Sequence, residues 1–324
     1  MNNLNVGDFK FIKTLEHGSI GKIKYAIHMP TSQEVAVKVI KKDALIKTYK
    51  ARATSIINRE VDNIRICSTH PGIVKLLDFI DEKDTYYIIM EYIPGGDLHT
   101  LLIKDKCEFT SEQSQWIIQQ LISCVEYCHG NFVAHRDLKL ENIMVTNPET
   151  LQIKLIDFGL SCVMRREDLH STFCGTLEYC APEILKGIEY HPVRIDIWAL
   201  GVVAFIIVNN FYPFDGTNSE IIRCVGEISY TAAGTESFQD LCQKIFTPHN
   251  TRASIYSIKQ HPWFSKKFDD ALPLYSKVAE PQAEIIKQVV MLGYFENEVV
   301  NAVKSGISAA ETAIYWKLSC SSLA

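Results

Sequence analysis

The sequence predicts an α+β protein with a small β-rich front lobe, a larger helical back lobe and a compact helical tail. Three observations predict it. Before residue 92, apolar and polar residues alternate at the two-residue period of strands. Beyond Pro94-Gly95-Gly96 the apolar residues recur at the helical period. After Pro281, three short segments show helical spacing again.

The elements follow in order. Phe9 and Phe11 alternate with polar neighbours, and residues 22–29 alternate charge with apolar side chains. Residues 34–40 form a β-branched run, and 74–81 and 85–91 are two more. These make about five strands, with one helix over 55–67 between the third and fourth. Residues 111–129 carry apolar side chains at 117, 118, 121, 122 and 125, which predicts a helix. The longest apolar stretch, 197–208, is interrupted only by Gly201. It is too short to span a bilayer and reads as a buried helix. Residues 266–281, with Pro273 and Pro281, read as a linker. Helices are expected over 284–292, 297–304 and 308–318, with Ser308 and Glu311 as a capping box for the last.

Composition narrows the class. The 324 residues are 47% apolar and 22% charged, ordinary for a globular chain with a large core. The net charge of −5 gives no global attraction to nucleic acid or an anionic membrane. The charge is uneven: residues 1–92 carry +3 and the remainder −8. An acidic larger lobe favours basic peptide partners. The N-terminal string MNNLNVGDFK has no apolar signal core. None of the ten cysteines forms a C-x-x-C pair. Free thiols in a cytoplasmic setting, with the nucleus as a second one, are therefore expected.

The chemistry-bearing strings come in a fixed order. Gly18-Ser19-Ile20-Gly21 and Val35-Ala36-Val37-Lys38 lie in the front lobe. Ala134-His135-Arg136-Asp137-Leu138-Lys139-Leu140-Glu141-Asn142 follows, and Asp157-Phe158-Gly159 comes fifteen residues after Asn142. Then come Gly175-Thr176-Leu177-Glu178-Tyr179-Cys180-Ala181-Pro182-Glu183 and Asp196-Ile197-Trp198-Ala199-Leu200-Gly201. This ordered set resembles the eukaryotic protein kinases over residues 8–265. The resemblance implies the two-lobed kinase fold, with an N-lobe over 8–92 and a C-lobe over 93–265. It also implies ATP and Mg²⁺ as cofactors.

The resemblance assigns roles residue by residue. Phosphoryl transfer needs neutralised phosphate charge and an in-line hydroxyl. Asp137 matches the catalytic aspartate, and Asn142 and Asp157 match the metal ligands. Lys38 matches the phosphate-binding lysine, with Glu60, 22 residues on, as its partner. Lys139 matches the lysine of the serine/threonine branch that contacts the transferring phosphate. Gly18, Ser19 and Gly21 match the loop over the phosphates. Ile23 and Ala36 would cover the adenine, Met90 would be the gatekeeper, and Glu91, Tyr92 and Ile93 the hinge. Glu16 departs from the pattern, standing where the family has its first loop glycine. Its carboxylate bears on nucleotide affinity.

Regulation and specificity are implied in the same way. Arg136 would pair with a phosphate on Thr172 of the activation segment, with Ser171 as runner-up, and an upstream kinase would place it. Glu183 would pair structurally with Arg252. Thr176 would tie the peptide loop to Asp137 and Lys139. Asp97 and Glu141 match positions that read a basic residue before the acceptor, so protein substrates with such residues are expected. Leu177 stands where many relatives have proline.

The tail, residues 282–320, resembles the ubiquitin-associated-like domain of kinases similar to the AMP-activated group, within the calcium/calmodulin-dependent kinase group. It carries Val289-Val290-Met291-Leu292-Gly293-Tyr294, Ala302-Val303 and Ala313-Ile314-Tyr315. It is expected to pack on the kinase or on a regulatory partner. A calmodulin-binding tail would be basic, whereas residues 269–324 carry −3. Two rival functions are a pseudokinase scaffold and a ubiquitin-binding adaptor. The first lacks support beyond Glu16, because Lys38, Asp137, Asn142 and Asp157 are all present.

Overall fold

The computed structural model describes residues 5–18, 21–164, 175–266, 268, 272–273 and 275–321. Strands β1 (Asn5–Val6), β2 (Phe9–His17), β3 (Gly21–His28), β4 (Gln33–Lys41), β5 (Leu76–Asp81) and β6 (Thr85–Glu91) form one antiparallel sheet. Its order is β1-β2-β3-β4-β6-β5. Alternation along β4 sorts its side chains between the two faces. Val35 and Val37 are buried with Phe11, Ala26, Tyr87 and Ile89 on one face. Ala36 and Lys38 lie on the other, where register sets Ile23 and Ile88 beside Lys38 and Met90 beside Ala36.

Two helices rather than one join β4 to β5: α1 (Lys42–Tyr49) and α2 (Ala53–Cys67). α1 escapes sequence reading because only Leu45 is buried, so it has no apolar stripe. α2 buries Ile57, Glu60, Val61 and Ile64 at spacings of three and four. β5 starts at Leu76 rather than at 74. Ile73 and Val74 are drawn off to bridge and bond Leu155 in the larger lobe.

The larger lobe holds α3 (Ser111–Gly130), β7 (Val133–Ala134), β8 (Ile143–Asn147), β9 (Gln152–Leu155) and β10 (Cys162–Val163). Helices α4 (Pro182–Leu185), α5 (Pro192–Asn209), α6 (Asn218–Glu227), α7 (Glu236–Ile245) and α8 (Ile255–Lys259) follow. Thr110 starts α3 with a capping box to Gln113, which satisfies two amides that a helix start leaves open. α5 is longer than the apolar run predicts, 18 residues rather than 12. Its first two turns contain Arg194 and Asp196, which are buried but hydrogen-bonded, so their polarity does not end the helix. By length and composition α5 is able to cross a membrane, yet 16 of its 18 residues are buried in the lobe. Trp198 lies parallel to Phe214 at 5.4 Å between ring centres and also packs on Phe246. Arg252 and Glu183 form the expected buried pair, at 2.6 and 2.9 Å.

The tail folds as α9 (Ala283–Val290), α10 (Glu296–Ser305) and α11 (Ala310–Ser321). Val289, Leu292, Val299, Val303, Ala313 and Ile314 share a core with Ala134, Cys162, Met164 and Val193 of the larger lobe. The Ser308–Glu311 capping box is not what Ser308 makes. Its hydroxyl accepts from the Leu272 amide and donates to the Leu272 carbonyl, fastening the linker to the bundle. Among the described residues nine cysteines are free thiols.

Candidate active site

The site lies where the open face of the sheet meets the loops around β7, β8 and β9. On the sheet, β4 presents Lys38. Its Nζ donates to Glu60 Oε1 at 2.6 Å and to Asp157 Oδ1 at 2.9 Å. One ammonium thus links α2 to the Asp-Phe-Gly loop. Burial opposes its charge, but Asp157 and Glu60 together move its pKa upward, so it stays cationic. Lys38 in turn pulls the Asp157 carboxyl down to about 2. Burial raises the Glu60 carboxyl, with Lys38 pulling it back. Asp157 has φ of 58° and keeps 42% of its side chain exposed toward the cleft. That left-handed backbone is uncommon for a non-glycine residue and collects at functional sites.

The second cluster is built on the loop after β7. Asp137 Oδ2 lies 2.9 Å from Lys139 Nζ and accepts from Asn142 Nδ2 at 3.0 Å. Asn142 Nδ2 also donates to the Asp137 carbonyl at 2.8 Å. Lys139 reaches Thr176 Oγ1 at 3.3 Å, so the expected tie between the peptide loop and this cluster is present. Gly175, beside Asp137, stands at φ 88°, a left-handed backbone that favours glycine. His135 bonds the Ile156 carbonyl at 3.1 Å through Nε2 and packs edge-on against Phe158.

Asp196 is a supporting residue whose role has no local signal in the sequence. Its carboxylate accepts the amides of His135 at 2.9 Å and Arg136 at 2.7 Å, and bonds His129 Nε2 at 2.8 Å. Burial works against its charge, but these bonds hold its pKa below the usual carboxylate range. It braces the loop at Arg136, where φ is 65°. Helix α5 therefore carries the catalytic loop from below.

The remaining candidates sort by place. Gly18 donates its amide to the Gly21 carbonyl at 2.9 Å. Gly21 has no room for a side chain, since a Cβ would sit 2.5 Å from the Val39 carbonyl. Ser19, Ser171 and Thr172 lie outside the described residues. Ile23, Ala36 and Met90 share the sheet face of Lys38, and Ile93 is buried at the lobe junction. Glu91 does more than a hinge backbone would. Its carboxylate accepts from Lys154 Nζ at 2.6 Å and from the Lys75 amide at 2.8 Å. Both Asp97 oxygens are engaged by Thr100, at 2.8 and 2.9 Å. One Glu141 oxygen is buried without a partner among the described residues. A cavity of about 360 Å³ lined by Phe11, Lys24, Val39 and Tyr87 opens on the opposite sheet face and reaches Gly18 and Gly21 from that side.

Among the described residues no group of three or more His, Cys, Asp or Glu side chains is placed to hold a metal by itself. Asn142 and Asp157 offer two oxygen donors. That set fits Mg²⁺, which keeps several waters and takes its other ligands from phosphate.

A two-lobed α+β fold with a lysine–glutamate–aspartate link and an aspartate–lysine–asparagine cluster across the cleft defines the class. The chain matches the protein kinase domain family over residues 9–264 and belongs to that family. It is 33% identical over 322 residues to the SNF1-related protein kinase catalytic subunit alpha KIN12 of Arabidopsis thaliana, covering 95% of this chain and 63% of that protein. It is 36% identical over 261 residues to CBL-interacting protein kinase 15 of Oryza sativa subsp. japonica, covering 78% of this chain and 58% of that protein. It is 34% identical over 265 residues to the carbon catabolite-derepressing protein kinase of Saccharomyces cerevisiae, covering 80% of this chain and 40% of that protein.

Proposed function

We propose that this chain is a serine/threonine protein kinase that transfers the γ-phosphate of ATP to hydroxyls of protein substrates. The observation that carries this is Lys38, whose ammonium joins Glu60 and Asp157 on the open face of the sheet. A lysine so held is fixed in place and permanently charged, ready to bind phosphate oxygens. Bound Mg²⁺ supplies positive charge against the triphosphate.

The residues of the chain divide the remaining work. Asn142 and Asp157 hold the metal. Asp137 orients the acceptor hydroxyl and takes its proton. Lys139, 2.9 Å from Asp137, places a positive charge beside that exchange. Gly18, Ser19 and Gly21 cover the phosphates, Ile23, Ala36 and Met90 line the base, and the backbone of Glu91 and Ile93 reads its edge. The kinase domain spans 8–265 and is joined by the 266–281 linker to the tail at 282–320.

Regulation and substrate choice belong to the same proposal. Phosphate on Thr172, placed by an upstream kinase, would pair with Arg136 and order the activation segment. Asp97, Glu141 and Thr176 face the acceptor peptide. The buried oxygen of Glu141, unpartnered among the described residues, and the −8 charge beyond residue 92 support a basic residue before the acceptor. The tail is read as ubiquitin-associated-like, supported by its three short helices, and packs intramolecularly. Its setting is the cytoplasm, with the nucleus as a second compartment. A peptide array with the chain phosphorylated at Thr172 tests the specificity. Preference for Arg or Lys before the acceptor is expected; equal use of acidic or proline-directed peptides would reject it.

A further inference from the structure

Glu16 replaces a glycine in the phosphate loop, and the register of the sheet decides where its carboxylate points. Glu16 pairs with Ile23, and Ile23 pairs with Lys38. Directly paired residues of antiparallel strands share a face. Glu16 therefore lies on the face of Lys38, Ile23 and Ile88, two strands away from Lys38, at roughly 10 Å between backbones. The β2–β3 pairing shifts register between Phe11 and Lys13 and again between Thr14 and Glu16, yet Glu16 still pairs with Ile23, while its neighbour His17 lines the opposite face with Phe11 and Val39. The Glu16 side chain is exposed on the open side of the sheet.

The charges around that face make the position consequential. Lys38 and Lys139 supply two positive charges, and Glu60, Asp137 and Asp157 supply three negative ones, all held in ion pairs. Glu16 adds a further negative charge on the sheet side of this cleft, on the face that also carries Lys13. We propose that Glu16 is a specificity-determining residue that penalises phosphate charge and so makes nucleotide binding depend strongly on a bound divalent cation. The inference rests on the nucleotide-binding reading of this cleft.

The mechanism is repulsion between one carboxylate and the polyphosphate. At roughly 8–10 Å, with water and salt screening an exposed carboxylate, its repulsion of the whole metal-free polyphosphate amounts to a few-fold in affinity. Metal-free ATP carries about twice the net charge of its Mg²⁺ complex, so it is penalised more. Adenosine carries none and is indifferent.

The test measures equilibrium binding of ATP, ADP and adenosine, with and without Mg²⁺, by calorimetry on the full chain. Wild type is compared with Glu16→Gln and Glu16→Gly. The expected result is about fivefold tighter metal-free ATP for both variants, a smaller gain with Mg²⁺, and no change for adenosine. An equal gain for adenosine, or a gain for Glu16→Gly but none for Glu16→Gln, would overturn the proposal and assign the effect to the backbone. Wild type that binds ATP with no response to Glu16→Gln defeats this inference alone. Wild type that binds neither ATP nor ADP defeats the nucleotide reading itself.

Discussion

Replacing Arg252 with methionine should unfold the larger lobe at markedly lower temperature. The Arg252 side chain is 0% exposed and Glu183 2% exposed, and two hydrogen bonds of 2.6 and 2.9 Å join them in a fork. The same guanidinium donates to the Arg194 carbonyl at 2.7 Å and to the Thr247 carbonyl at 3.0 Å, and lies over the Trp198 ring. Arg252→Met keeps the volume and the contact with Trp198 but strands the Glu183 carboxylate and both carbonyls. Breaking one side of a buried pair costs about 3–5 kcal/mol. At about 2–4 °C per kcal/mol for a domain of this size, Tm should fall by about 10 °C. Calorimetry on wild type, Arg252→Met and Arg252→Met with Glu183→Leu makes the check. The double variant should recover much of the loss, because it removes the stranded charge. A fall of less than about 2 °C for the single variant, or a double variant no better than the single, would refute the reasoning.

Three further outcomes are expected. Burial, with Glu126 and Glu298 adding to it and its own amide and Lys259 pulling back, raises the Glu311 carboxyl to about 7. When docked, the group is thus protonated only below about pH 7. Its contribution is full below about pH 4.3, the unfolded value, and is lost as pH rises through about 7. Hydrogen exchange in α11 should speed up between pH 6 and pH 8 beyond the intrinsic rate change, and Glu311→Gln should abolish the difference. Lys317 Nζ donates to the Gly130 carbonyl and to Asn131 Oδ1, both at 2.7 Å. Lys317→Ala should raise exchange of the tail amides about tenfold, as expected for losing charge-assisted bonds; unchanged protection would show that apolar packing alone docks the tail. Lys154→Met leaves the Glu91 carboxylate only the Lys75 amide. ATP affinity should fall about fivefold, on the order of 1 kcal/mol for a partly buried pair, while Lys154→Arg holds it near wild type. Equal losses for both variants would contradict this.

How much was legible depended on whether a residue's partner lay nearby in sequence. Asp137, Lys139 and Asn142 sit within six positions, so the one string that carries the family resemblance also holds the whole cluster they form. The link from Lys38 to Glu60 was reached only through the family resemblance, because nothing local pairs β4 with α2. Glu91 and Lys154 lie 63 residues apart and carry no local signal, so their ion pair went unread. Ser308 shows the opposite failure. The S-x-x-E string is a sound helix start, but Leu272, 36 residues away, claims the hydroxyl. Helix α1 was missed because its one buried residue leaves no periodicity to detect. The ends of α9 and α10 fall within a few residues of those the sequence predicts, since each buries apolar residues at helical spacing; α11 instead buries the six consecutive residues 310–315.

The most direct measurement is transfer of radiolabelled γ-phosphate from ATP to a basic serine peptide. Wild type phosphorylated at Thr172, Asp157→Ala and Thr172→Ala are compared. The expected result is robust transfer by wild type, a loss of at least about a hundredfold for Asp157→Ala, and a partial loss for Thr172→Ala. No transfer by phosphorylated wild type, or equal transfer by Asp157→Ala, would contradict the assignment of this cleft as a phosphotransfer site.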